Sequence, residues 1–180
     1  MQSALLVIDV QNGIFAHNPP PYADETLDNI NQLIGNARDS STPIVFIQHE
    51  IPGVLLPDTD PWQLAAKLTV RLEDQRLRKQ TADSFQNTTL KQRLDEHGVQ
   101  HLIICGYASD FCIDRTAFAA ASQGYRVSLI SDAHTTHSKP HAEAATLIAH
   151  HNFTLSKHPL IEALTTQDHL QQSKQPAITC

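Results

Sequence analysis

Apolar residues reach this chain in short continuous runs, and between the runs they recur every three or four positions. Residues 4–10 form a run of Leu, Val and Ile closed by Gln11-Asn12-Gly13, the pattern of a strand covered on both faces. Residues 44–47 and 101–105 repeat it, 127–130 is a fourth such strand, and the charged stretch 77–80 is a weaker fifth. Helical spacing takes over at 24–38, where Leu27, Ile30, Leu33 and Ile34 share a face, and again at 62–68, 88–97, 112–123 and from Pro140 to about 151. Gly98 and Gly124 stand behind two of these helices as stops. Residues 152–155 are expected to add a last strand, and the polar tail after Gln167 a frayed end or a subunit contact. Strands alternating with helices predict an α/β fold: a three-layer α/β/α, Rossmann-like arrangement with a mostly parallel central sheet of about six strands.

A length of 180 residues suits a single domain spanning 1–180 with a full core. The formal charge of −6 and the absence of any Lys/Arg block exclude the footprint of a nucleic-acid binder. No apolar run approaches the ~20 residues of a membrane span, and the N-terminus lacks the marks of a signal peptide. A cytoplasmic enzyme acting on a small molecule is expected, with no nucleic-acid or membrane partner. Cys105, Cys112 and Cys180 are an odd number with no CxxC spacing, so reduced thiols are the default and a disulfide framework or structural zinc site is not expected. The 11 histidines include no HExxH pair, and neither metal nor other cofactor is expected.

Ligands of parallel α/β sheets bind at the carboxyl ends of strands. Asp9, His49, Lys79, Cys112 and Asp132 all fall near predicted strand ends, so one crevice can hold several of them. Cys112 opens a helix, where free backbone amides and the helix dipole favour a thiolate. It needs a base, and no histidine stands in a pattern that assigns one. Asp9, flanked by Ile8 and Val10, is expected to be partly desolvated and able to exchange a proton with a thiol, with Lys79 balancing the charge. Ser109 and Asp110 are candidates to cap the helix. Taken singly, each residue also fits a bland role as loop cap, small core residue or solvated cation. Their order on successive strand ends favours a site.

Four segments carry a resemblance: LLVIDVQNGIF (5–15), KQTADSFQNTTL (79–90), IICGYASDFCIDRTAFAAASQGY (103–125), and SDAHTT (131–136) followed by HAEAATLIAHHN (141–152). Together they resemble the isochorismatase-like cysteine hydrolase superfamily, which includes nicotinamidases and N-carbamoylsarcosine amidase. The resemblance implies a catalytic triad of Asp9, Lys79 and Cys112. It also implies a cis peptide between Tyr107 and Ala108 and an oxyanion hole from the Ala108 and Cys112 N–H groups. Two departures stand out. Asp83-Ser84-Phe85 replaces the usual Ser-Ala-Phe, and Gln48-His49-Glu50 replaces the D-x-H metal pattern of nicotinamidases, which argues against a metal and against that activity.

Phe15, His49, Trp62, Tyr107 and Phe111 lie in or beside the strand-end loops and are the candidate substrate contacts. The expected reaction is cleavage of a C–N bond in a small amide, carbamoyl or imide-like substrate through a thioester. Two alternatives stay open: an isochorismatase-type vinyl ether hydrolase with Asp9 as general acid, and a non-catalytic binding or scaffold protein on the same fold. The family habit implies a homodimer or homotetramer.

Overall fold

The structure, a computed structural model, describes residues 1–174. Six strands form one all-parallel sheet: β1 (Ser3–Ile8), β2 (Ile44–His49), β3 (Gln75–Lys79), β4 (His101–Tyr107), β5 (Arg126–Thr135) and β6 (Ile161–Leu164), in spatial order β3-β2-β1-β4-β5-β6. The helices are α1 (Asn12–Phe15), α2 (Ala23–Asp39), α3 (Leu90–Glu96), α4 (Asp114–Ser122), α5 (Ala144–Leu155) and α6 (Thr166–Lys174).

The continuous apolar runs are explained by burial on both faces. Successive β1 side chains point to opposite sides, so Ala4, Leu6 and Ile8 join one core with Leu90, Leu94, Ala117, Ala120 and Leu155, on the side of α3 and α4. Leu5 and Val7 join a second core with Leu27, Ile30, Leu33 and Ile34 of α2. The sheet is thus sandwiched between two helical layers, as the alternation of patterns predicts. Charged β3 is the edge strand: Leu77 and Lys79 point inward while Arg76 and Arg78 face solvent.

Four expectations about the elements are corrected. Residues 62–68 are not a helix; only a 3-10 turn, Asp60–Trp62, forms there. The chain then runs along the end of β1, with Leu64 bridging Gln11 and the Ala65 N–H donating to Val10 O, so Ala65 and Leu68 reach the core as irregular backbone. Residues 152–155 are the last turn of α5 rather than a strand, because Leu155 packs in the core and Asn152 bonds back to β5; the last strand is β6. The tail after Gln167 continues α6 to Lys174, and Asp132 anchors its start by accepting from both the N–H and the hydroxyl of Thr166 at 2.7 Å. α5 also begins at Ala144 rather than Pro140, since residues 139–142 close a turn and Ser138 Oγ accepts the Ala144 N–H. Cys180 lies outside the described residues.

The sheet order places the topological switch between β1 and β4: the chain moves outward through β2 and β3, then returns to the other side of β1. Such a switch opens a crevice at the carboxyl ends of the two strands. Here those ends carry Asp9 and the Tyr107–Cys112 loop.

Candidate active site

Asp9 leaves β1 in the left-handed region, at φ 55°, a conformation that a non-glycine residue rarely adopts. Its N–H still donates to Ile47 O, which fixes the carboxylate over the end of β2. Lys79, the last residue of β3, is 2% exposed and sends its ammonium to Asp9 Oδ2 at 2.9 Å and to Ala82 O at 3.1 Å. Burial pulls that ammonium toward deprotonation, but the charges of Asp9 and Cys112 outweigh it, and its pKa is raised above the ordinary lysine value.

The Lys79 loop is tied to the helix behind Cys112. Fully buried Ser84 exchanges hydrogen bonds with Thr116 of α4, through both its N–H (3.1 Å) and its hydroxyl (2.9 Å), and Asp83 Oδ1 accepts the Phe85 N–H. The Asp-Ser pair that replaces Ser-Ala in the resemblance therefore has a local structural use.

Cys112 is 3% exposed and lies in a single π turn, Ser109–Ile113, that runs into α4; the Ile113 N–H bonds five residues back to Ala108 O. The Tyr107–Ala108 bond is cis. The expectation of a helix-stabilised thiolate is corrected: burial first, then the negative charge of Asp9, push the thiol pKa well up, against the opposing pull of Lys79. The resting group is a thiol, and its proton has to leave to a neighbour as it reacts. Cys105, inside β4, is wholly buried and likewise pushed up by burial.

His49, expected at a strand end and on the substrate wall, stands closer to the reacting groups than the sequence indicates. Its Nδ1 stands 3.5 Å from Asp9 Oδ2 and 3.6 Å from Cys112 Sγ, so it belongs beside the reacting groups rather than only on a substrate wall. Buried Gln11 clamps its backbone, donating to His49 O (3.0 Å) and accepting from His49 N–H (2.8 Å). This contact follows from β2 lying next to β1, a neighbour relation that strand patterns alone do not reveal.

Asp132, the fifth strand-end candidate, is not in the crevice; its carboxylate is engaged in anchoring α6. Trp62 is buried, its carbonyl accepting from Gln11 and Gln48, with Arg78 above its ring and no partner for its indole N–H among the described residues. Phe15 packs edge-on to Tyr107, whose hydroxyl bonds His137 Nδ1 at 2.6 Å; burial and nearby negative groups push the phenol up to about 12. Phe111 is 52% exposed. Neither Ser109 nor Asp110 caps the helix by its side chain. Asp110 instead binds Thr136 and Lys139. Ser109 reaches buried His134 Nδ1 at 2.7 Å, and His134 Nε2 meets Asn152 Oδ1 at 2.8 Å. Asn152 Nδ2 donates to Ser131 O, so its Oδ1 faces His134 as acceptor; Nε2 then carries the proton and the Ser109 hydroxyl donates to Nδ1. This chain holds the nucleophile loop from behind.

A sequence model of the isochorismatase domain matches residues 3–156. The chain belongs to the isochorismatase family. It is 35% identical over 142 residues to the streptothricin hydrolase of Streptomyces noursei, a match covering 77% of this chain and 51% of that one. It thus spans about half the length of that relative. Nicotinamidase 3 of Arabidopsis thaliana is 27% identical over 158 residues, covering 79% of this chain and 77% of its own. The crystal structure of an isochorismatase family protein superposes with a TM-score of 0.85 at 34% identity, over 91% of this chain and 98% of that chain. The family match ends just beyond α5, so all the residues gathered around Cys112 lie within it. No helix among the described residues is long and apolar enough to cross a membrane.

Proposed function

We propose that this protein hydrolyses a carbon–nitrogen bond of a small amide, carbamoyl or imide-like substrate through a thioester on Cys112. Asp9 accepts the thiol proton as Sγ attacks the carbonyl carbon, and the Ala108 and Cys112 N–H groups hold the developing oxyanion. Asp9 then passes the proton to the departing amine. Water, activated by the same carboxylate, cleaves the thioester and releases the acid. Lys79 stays protonated throughout, and its charge faces Asp9 at 2.9 Å.

The observation that carries this reading is the enclosed Asp9–Lys79 pair beside a thiol held protonated by its surroundings. Such a thiol is a poor standing nucleophile and a good one when a carboxylate removes its proton during attack. The names of the streptothricin hydrolase and the nicotinamidase support hydrolysis of small nitrogenous compounds.

Intact-mass spectrometry of wild type and Cys112→Ala after exposure to a panel of small amides tests the reading. A substrate-sized adduct on wild type alone, with turnover reduced at least about a thousandfold in Cys112→Ala, is the expected result. Equal amide turnover in both proteins rejects the thioester. Vinyl ether cleavage that survives in Cys112→Ala while amides are untouched would instead assign the general acid role to Asp9.

A further inference from the structure

None of the steps above draws on the His49 ring, although it is buried, held by a two-bond backbone clamp, and aimed at both the carboxylate and the thiol. Asp9 Oδ1 is also buried and accepts no hydrogen bond from any described residue. The His49 ring is thus unused beside a thiol, and Asp9, whose Oδ2 holds Lys79, keeps Oδ1 free for a ligand.

Asp9, His49 and Cys112 each offer a metal-ligand atom, and these three atoms lie within 4.8 Å of one another. The His49 Nδ1 separations of 3.5 Å from Asp9 Oδ2 and 3.6 Å from Cys112 Sγ have a ready meaning. On a tetrahedral zinc ion, with Zn–N and Zn–O near 2.0 Å and Zn–S near 2.3 Å, neighbouring ligand atoms stand about 3.3 to 3.6 Å apart. We propose that Asp9, His49 and Cys112 form a binding site for a thiophilic divalent cation of the zinc class, and that the ion reversibly silences Cys112.

On binding, the Cys112 S–H bond breaks, its proton leaves to solvent, and the sulfur lone pair forms the metal–sulfur bond, with no change of oxidation state. A thiolate and an imidazole select zinc or cobalt over magnesium or calcium, which prefer oxygen ligands. The two anionic ligands balance the charge of the dication. Lys79 remains 2.9 Å from the carboxylate as an opposing positive charge, which holds affinity below that of a structural zinc site. The site therefore acts as an inhibitory one. Binding rests on the ligand geometry alone, whereas loss of turnover rests on Cys112 being the nucleophile, as proposed above.

The test uses the full-length, chelator-treated protein carrying Cys180→Ser, and no substrate. Cobalt(II) titration should produce a near-ultraviolet sulfur-to-cobalt band that zinc displaces and that Cys112→Ser lacks. Iodoacetamide labelling of Cys112, read by mass spectrometry, should slow at least tenfold with an equivalent of zinc and stay unchanged with magnesium. In His49→Gln the metal-free labelling should persist, which reports a folded site, while zinc protection weakens at least tenfold. Absence of both band and protection at tenfold excess zinc overturns the proposal. So does equal protection in His49→Gln, which would reduce the effect to the thiol alone. Because neither readout needs turnover, either result leaves the thioester reading to be judged by Cys112→Ala.

Discussion

At the scale of single residues, Lys79 carries the largest stake. Its side chain is fully enclosed and faces an equally enclosed carboxylate at 2.9 Å. Removing one partner of such a pair strands the other charge in a poor solvent, typically at about 3 to 5 kcal/mol. Lys79→Met, similar in volume and uncharged, should lower the unfolding free energy read from urea melts by that order and abolish amide turnover. Adding Asp9→Asn should restore most of the stability and none of the turnover; if the double variant is no more stable than Lys79→Met, the pair is not what holds these side chains. The residues of this pair were legible because each follows an apolar run or sits in a motif. The place of His49 at a strand end was legible too, but its contacts with Asp9 and Cys112 and the Ser109–His134–Asn152 chain were not. Their contacts depend on which strands become neighbours and how far β5 extends, and a lone histidine in a sequence gives no such information.

Among elements, the junction of β1 and β4 sets the distance between carboxylate and nucleophile loop. Gly106 pairs with Ile8 in the parallel register and adopts φ 122°, and a Cβ placed there would stand 2.0 Å from Ile8 O. Backbone oxygen cannot swing aside, so a side chain has to pry β4 from β1 just where both strands end. Gly106→Ala should cost more than about 3 kcal/mol and speed iodoacetamide labelling of the otherwise buried Cys112. Gly124→Ala is the control: it also has positive φ, at 91°, yet nothing lies within 4 Å of its Cβ, so it should cost only about 1 kcal/mol. The strands flanking the site were readable because burial on both faces writes a continuous apolar run. The errors fell where a run was too short or served another purpose. β6 has four residues, and the apolar positions of 62–68 fill the core without helix.

For the molecule as a whole, acid stability follows from histidines buried in the fold. His134 is enclosed between Ser109 and Asn152, and burial depresses its pKa to about 4. His101, between Ser3 and Ser128, is depressed to about 4 as well, by burial and then by the nearby charges of His169 and Arg126. Unfolded, both titrate near 6.5. Between about pH 6.5 and 4 the unfolded chain therefore binds protons that the folded chain refuses, and stability present above 6.5 drains away as pH falls. For His134 the loss is on the order of 3 kcal/mol by pH 4, and for the less enclosed His101 it is smaller. Urea midpoints measured from pH 8 to 4 should stay level to about 6.5 and then decline, with a shallower decline in His134→Gln; an unchanged slope would remove His134 from this account. His134 accepts the hydroxyl that steadies the nucleophile loop, so an imidazolium there would expel the Ser109 O–H by offering a proton where it now takes one. Iodoacetamide labelling of Cys112, corrected for thiolate fraction, should therefore change over the same acid interval in wild type and stay flat in His134→Gln, linking the stability of the fold to the geometry at its switch point.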